Sequence, residues 1–186
     1  MKYIKTGIEG VVILEADRIV DTRGWFAESF SQREFAENVC ATVFVQDNEV
    51  LSRRDVVRGL HWQLPPNAQA KLVRVSRGKI VDVAVDMRRG SPTFGRHIAV
   101  ALSADNGRQL FVPRGFAHGY SVLENDTVVI YKCDNYYSPR SEAGLRFDDS
   151  EIGIDWGVNS PVISDKDRAL PSLVDARLFD YSEKPY

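Results

Sequence analysis

Val57-Arg58-Gly59-Leu60-His61-Trp62-Gln63, followed at short range by Gln69-Ala70-Lys71-Leu72-Val73, sets an arginine, a histidine and a lysine among β-branched and apolar residues. The spacing is that of strands, and Leu64-Pro65-Pro66-Asn67-Ala68 between them is a loop because two prolines break any ladder. No other stretch gathers so many chemically useful groups. Strict alternation puts Arg58 and His61 on opposite faces of a strand. A bulge at Gly59 would bring them to the same face.

Outward from this stretch, short strand-like runs dominate. Residues 1–16 read as one or two strands broken at Gly7 and Gly10, and Trp25 to Phe30 as a strand with Phe26, Glu28 and Phe30 on one face. Ser31-Gln32-Arg33-Glu34 is a capping box, which predicts a short helix to Asn38. Ala41 to Leu51 is strand-like, with Phe44, Gln46 and Asn48 sharing parity; Arg53 to Gln63 and Lys71 to Arg77 follow. From Gly78 to Met87, Val81, Val83 and Val85 alternate with Asp82, Ala84 and Asp86. Asn106-Gly107 signals a hairpin turn, Thr127 to Cys133 is a strand, Ser164-Asp165-Lys166-Asp167 is a polar loop, and Ser172 caps a final helix through Phe179. Many short strands with little helix predict an all-β sandwich or barrel.

Composition fits one soluble domain over residues 1–186: 44% hydrophobic, 27% charged, net charge −2. With no block of like charge, a nucleic-acid partner is not expected. Cys40 and Cys133 are far apart and lack metal-ligand spacing, which predicts free thiols in a reducing compartment. No apolar leader and no membrane-length run are present, so no membrane partner and a cytoplasmic location are expected.

Pro113-Arg114-Gly115-Phe116-Ala117-His118 resembles the Pro-x-Gly-x-x-His motif of cupin jelly rolls. The other cupin motif, His-x-His, then Glu, six residues and Gly, is met only in frame. His61-Trp62-Gln63 has a glutamine for the second histidine, and Lys71, six residues before Gly78, stands nearest the glutamate position. The resemblance implies a cupin-like jelly-roll barrel with short peripheral helices and no metal. A lysine ammonium repels a divalent ion, yet it can stabilise an oxyanion as a metal would. A histidine with an ordinary pKa of about 6.5 can take a proton at neutral pH, and a tyrosine on a facing strand can return one. Together these groups suit an epimerase or isomerase acting beside a carbonyl.

Further motifs resemble one family throughout: Asp21-Thr22-Arg23-Gly24-Trp25-Phe26-Ala27-Glu28, Gln46-Asp47-Asn48, Arg58 to Gln63, Gln69 to Val73, Pro113 to Gly119, Tyr131-Lys132 with Tyr136-Tyr137-Ser138-Pro139, and Ser164 to Asp167. Their order and spacing, from Gly10 to about Pro171, are similar to those of the dTDP-4-dehydrorhamnose 3,5-epimerase family. The resemblance implies His61 as general base with Asp167 as its dyad partner, Lys71 as enolate stabiliser and Tyr131 as general acid. It implies Arg23, Gln46, Asn48 and Arg58 on the nucleotide and diphosphate. Glu28, His118, Glu142 and Lys166 would line the substrate site, and Tyr137 would stack on thymine. It further implies a dTDP-sugar substrate, no cofactor and a homodimer. Its N-terminal strands, about residues 1–30, would be exchanged, so that Arg23, Phe26 and Glu28 serve the partner's site, while residues 160–186 pack on the barrel.

Structural readings compete with some of these assignments. His118 between Ala117 and Gly119 can be a packed core residue, Tyr131 a core aromatic, His97 a surface residue, and Asp82 either a partner for a basic group or exposed. Asp165 and Asp167 share a loop, and parity lets only one of Tyr136 and Tyr137 stack on a base. Phe147 stands where the family commonly has tryptophan, and Glu49-Val50-Leu51 where it has polar serines. Three rival functions are an epimerase inverting only C3 or only C5, a metal-dependent cupin, and a non-catalytic sugar-nucleotide-binding barrel.

Overall fold

In the computed structural model, which describes residues 1–182, the alternating segments form two facing antiparallel sheets. In chain order the elements are β1 (Lys2–Lys5), β2 (Val12–Glu15), β3 (Ile19–Asp21), β4 (Gly24–Phe26), α1 (Gln32–Asn38), β5 (Gln46–Ser52), β6 (Val57–Gln63) and β7 (Lys71–Arg77). They continue with β8 (Lys79–Asp86), β9 (Arg88–Arg89), β10 (His97–Ser103), β11 (Arg108–Val112), β12 (Phe116–Val122), β13 (Thr127–Cys133), β14 (Glu142–Gly144), α2 (Asp165–Arg168) and β15 (Phe179–Asp180). One sheet runs β1-β2-β11-β7-β13-β5 and the other β10-β8-β12-β6-β14. The architecture is an all-β, cupin-like jelly roll. No helix among the described residues is long and apolar enough to cross a membrane.

Three apolar layers hold the sheets. Between them lie Val73, Val75, Ile80, Ala84, Leu110, Val122 and Val129. The outer face of the five-stranded sheet presents Leu60, Trp62, Val83, Val85 and Ala117, covered by Ile152, Trp156, Ile163, Leu173 and Phe179. On the six-stranded sheet, α1 lays Phe35 over Leu14, Leu72 and Phe111, the Phe35 and Phe111 rings 5.1 Å apart at 77°. Such edge-to-face pairs contribute beyond the area they bury. Because both faces of the five-stranded sheet are covered, the alternation in β8 separates two buried sides: its valines meet the outer layer, and Asp82 and Asp86 are fully buried.

Several segments differ from the sequence reading. The strand at Trp25 stops at Phe26, and the shared face expected for Phe26, Glu28 and Phe30 does not form. Phe30 instead joins an aromatic cluster with Phe35 and Phe44, ring centroids 5.7 and 5.4 Å away, while Phe26 and Glu28 remain exposed. That cluster also takes Phe44 away from Gln46 and Asn48, so β5 begins only at Gln46. In the next segment the ladder starts at Val57 rather than Arg53. Asn106-Gly107 does turn the chain, with Asn106 Oδ1 accepting from the Ser103 and Arg108 N–H groups. It joins strands of different sheets, β10 and β11, and not a hairpin ladder. The polar loop at Ser164 is a short helix, α2, whose cap is Ser164. No helix follows Ser172, because Phe179 is drawn into a parallel pairing with Arg88.

The N-cap of α1 forms as read, with Ser31 Oγ accepting from the Glu34 N–H, while the Glu34 carboxylate accepts from Tyr3 Oη at 3.5 Å instead of closing the box on the Ser31 N–H. The Gly59 bulge also forms. The β6–β12 register shifts between His118↔His61 and Tyr120↔Arg58. Gly59 has φ +111°, and a Cβ there would lie 2.7 Å from both Gly119 Cα and His118 O. A side chain is therefore excluded twice, by backbone conformation and by the neighbouring strand. Gly59→Ala should destabilise the fold by about 3 kcal/mol. This would appear as a melting temperature lower by roughly 6–12 °C, and a variant melting like the parent would contradict this account of the bulge.

Candidate active site

The bulge turns Arg58 and His61 toward the same interior. It also takes the Gly59 N–H out of the ladder, and Asp167 Oδ2 accepts it at 3.2 Å. The other oxygen, Asp167 Oδ1, lies 2.7 Å from His61 Nε2. The N-terminal turn of α2 fixes this carboxylate, with Ser164 Oγ accepting from the Asp167 N–H at 3.1 Å. Burial alone would raise the Asp167 pKa; the hydrogen bonds and charge from His61, with the Gly59 and Ser164 bonds, outweigh it and hold the group below its usual value. An ionised Asp167 accepts, so Nε2 carries the imidazole proton and Nδ1 keeps a lone pair. The His61 side chain is 31% exposed and that of Asp167 6%, as suits a base open to a ligand and a carboxylate that orients it from behind.

Facing them are Lys71 of β7 and Tyr131 of β13, both on the six-stranded sheet, whereas His61 belongs to the five-stranded one. Burial lowers the Lys71 pKa, and the carboxylates of Asp82 and Glu142 act the other way. Burial raises the Tyr131 phenol, Cys133 adds to this, and Arg58 opposes it. Cys133, directly opposite Lys71 in the ladder, is pushed by burial up to about 11 and remains a thiol at neutral pH.

A second imidazole–carboxylate pair lies deeper, His118 Nε2 being 2.8 Å from Asp82 Oδ1. Asp82 is thus paired and buried, not exposed. Burial lowers the His118 pKa, Asp82 opposes this, and Lys71 and His61 add to the lowering, so His118 is neutral at pH 7.

These groups line two adjoining cavities of about 340 and 270 Å³ that share His61, Lys71 and Tyr131. The first adds Gln46, Asn48, Tyr137 and Glu142; the second adds Arg58, His118, Lys166 and Asp167. Gln46 Nε2 donates to Asn48 Oδ1 at 3.0 Å, and Gln46 Oε1 accepts from the Tyr137 N–H at 3.3 Å. Glu142 accepts from Tyr137 Oη at 3.1 Å and from Lys166 Nζ. Burial would raise Glu142, but these two bonds hold it below its usual range. Arg58 Nε donates to Ser52 Oγ at 3.1 Å. A larger recess of about 480 Å³ on the outer face of the six-stranded sheet is lined by groups such as Asp47, Glu49, Arg74 and Lys132 and holds no histidine.

Three residues singled out in the sequence are not brought to these cavities. Arg23, on the turn of the β3–β4 hairpin, pairs with Asp21, and it is exposed together with Phe26 and Glu28. Ile19, Val20, Trp25 and Phe26 of the same hairpin are 58–74% exposed. Residues not singled out, or left unassigned, also line the site. Gln63, at the cupin ligand position, is buried and engaged: its amide donates to the Asn67 and Tyr136 carbonyls and accepts from the Ser138 N–H. Cys133 and Tyr120 face the cavities as well. Their parity with Tyr131 and His118 was the available signal.

The family model described as dTDP-4-dehydrorhamnose 3,5-epimerase matches residues 5–175. The chain is 49% identical over 180 residues to the dTDP-4-dehydrorhamnose 3,5-epimerase of Shigella flexneri, covering 96% of this chain and 99% of that one. Among solved structures, the dTDP-6-deoxy-D-glucose-3,5-epimerase of Legionella pneumophila Philadelphia 1, in complex with dTDP-4-keto-L-rhamnose, superposes with TM-score 0.93 at 42% identity, covering 97% of this chain and 98% of that one. NovW, a 4-keto-6-deoxy sugar epimerase from the novobiocin gene cluster of Streptomyces spheroides, superposes with TM-score 0.95 at 33% identity, over 98% and 94%. By match of sequence and of fold along nearly its whole length, the chain belongs to the dTDP-4-dehydrorhamnose 3,5-epimerase family.

Proposed function

We propose that this protein converts dTDP-4-dehydro-6-deoxy-D-glucose to dTDP-4-dehydro-L-rhamnose by inverting C3 and C5. The observation that carries the reading is the opposition of His61–Asp167 on one sheet to Tyr131 on the other, with Lys71 beside Tyr131. Inversion requires a proton to leave one face of the carbon and another to arrive on the opposite face. A base and an acid on facing walls of one cavity meet that requirement directly.

The C4 ketone acidifies the protons on C3 and C5. His61 Nδ1 removes one, and Asp167 steadies the imidazolium that results. The enolate oxygen meets the Lys71 ammonium, whose charge acts more strongly in a desolvated setting. Tyr131 delivers a proton from the far side, and the second centre follows by the same steps. Glu142, Lys166 and His118 line the sugar's surroundings, Gln46 and Asn48 present amides to the nucleotide, Tyr137 offers a ring to thymine, and Arg58 a cation to the diphosphate. The exposed Arg23, Phe26 and Glu28 fit a homodimer in which the β3–β4 hairpin reaches the partner's cavity, since an apolar hairpin standing in water has little reason to persist alone. The chemistry calls for no cofactor, and the location in the cell follows that of a cytoplasmic sugar-nucleotide pathway.

Isotope wash-in tests the reaction. Incubation with dTDP-4-keto-6-deoxyglucose in heavy water should place deuterium at both C3 and C5, read by NMR and mass spectrometry. Label at one carbon would mean a single-centre epimerase, and none above background would refute the proposal. His61→Ala should lower wash-in by about 10²–10⁴-fold. Tyr131→Phe should keep exchange at C5 but lose inversion by a similar factor.

The rate should also fall on the alkaline side before pH reaches the free-lysine value of about 10.4. Burial lowers Lys71, so its ammonium, the form that holds the enolate, is lost earlier as pH rises. A kcat profile flat past pH 10 would contradict the role of Lys71.

Mixed dimers test the exchange. Arg23→Ala and His61→Ala subunits, each inactive alone, should on mixing recover about a quarter of parental activity, because half the dimers then hold one intact site. No recovery despite subunit exchange would place Arg23 outside the partner's site.

A further inference from the structure

Tyr120 lies at the centre of the five-stranded sheet's inner face. It stands opposite Asp82 on one neighbouring strand and opposite Arg58 on the other. The residue is 4% exposed, and its hydroxyl is buried, with Ser52 beside it but in no hydrogen bond of ordinary geometry among the described residues. A buried hydroxyl left unpaired is uncommon, and its desolvation is recovered only when an acceptor arrives. Asp82 Oδ1 is engaged by His118, and Asp82 Oδ2 does not meet the phenol either. Tyr120 itself lines the cavity of about 270 Å³ together with Arg58, Tyr131 and Lys71, whereas Asp82 lines neither of the two adjoining cavities. An acceptor can therefore reach the phenol from the cavity side.

The character of that acceptor follows from the neighbours. Among the described residues Arg58 engages only Nε, on Ser52 Oγ, which leaves the outer nitrogens of its guanidinium for a ligand anion. The phenol stands beside that cation, and burial raises its pKa well above the ordinary tyrosine value. It is thus a neutral O–H, able to donate and unable to repel an anion.

We propose that Tyr120 is a substrate-binding residue of this site, its hydroxyl donating to a phosphate oxygen of the nucleoside diphosphate that Arg58 neutralises. This rests on the nucleotide-sugar reading above and adds a donor to it. The phosphate carries acceptor oxygens on several sides, and Arg58 supplies the charge while Tyr120 supplies a fixed, uncharged bond from the barrel wall.

Tyr120→Phe removes one oxygen and keeps the ring in its apolar surroundings. Titration calorimetry of the purified full-length parent and variant, with dTDP and separately with thymidine, reads the effect without turnover. The dTDP dissociation constant should rise about tenfold, the scale of one hydrogen bond to a charged acceptor. That for thymidine, which has no phosphate, should stay within about twofold. An unchanged dTDP affinity would overturn the proposal and leave the hydroxyl to a buried water. An equal loss for both ligands would overturn it too, since the change would then be a distortion of the site. If the parent binds neither ligand, the nucleotide-sugar reading fails and this inference with it; if the parent binds dTDP and the variant binds it equally, only this inference fails.

Discussion

The structure turns on one close approach, that of the β6 and β12 backbones at Gly59 and Gly119. A Cβ on Gly59 would lie 2.7 Å from Gly119 Cα, and one on Gly119 would lie 2.7 Å from the Arg58 carbonyl oxygen. Only two glycines allow strands to meet in this way while one of them bulges. Arg58 and His61 then share a face despite their odd spacing. The Gly59 N–H, displaced from the ladder, needs an acceptor, and Asp167 supplies it while binding His61 through its other oxygen. The same backbone defect therefore aims the imidazole, recruits its carboxylate and fixes which ring nitrogen is free.

Around that pair the balance of burial and charge decides protonation. Asp167 is a buried carboxylate and Glu142 a partly buried one, and each is kept ionised by specific partners: His61 and the Gly59 N–H in one case, Lys166 and Tyr137 in the other. His118 receives the opposite treatment. Burial, with Lys71 adding to it, outweighs Asp82, and the ring is neutral. A cavity containing Lys71, Arg58 and two histidines would be hostile to further positive charge. Neutral His118 and the buried thiol of Cys133 limit that charge to Lys71 and Arg58.

The sheets were legible because β8 alternates and β7 and β13 are short runs rich in β-branched residues, and the Ser31 cap before α1 is a local signal with a local cause. The inner-face residues were legible for the same reason: Gln46 and Asn48 share parity, as do Lys71, Val73 and Val75. What alternation does not carry is which face a third layer covers. In β8 it separates valines from aspartates, yet both sets are buried, because residues 152–179 pack over the valines. Nor does it reveal which side chains aromatic packing will claim. Phe30 and Phe44 leave their strand faces for a cluster on Phe35, which shortens two segments that read as strands. Phe179 likewise leaves an expected helix for Arg88. The Gly59 bulge was identifiable as a need, from the odd spacing of Arg58 and His61, before its geometry was known. The pairing of Asp82 with His118 was not, since it depends on two strands becoming neighbours.

The division of labour between the sheets explains why a jelly roll suits this chemistry. A single sheet presents all its inward groups to the same side of a ligand. Two facing sheets present groups to both sides at a separation set by their packing. The imidazole and its carboxylate belong to the five-stranded sheet and α2, while the phenol and ammonium belong to the six-stranded one. In the proposed binding mode the nucleoside is held, by contrast, by β5 and the Tyr137 loop, which line the other cavity. A ligand held by its nucleotide in this way would leave its sugar free to turn between the walls. That freedom is what two successive inversions require, because after the first the ring must present a second carbon to the same base and the same acid.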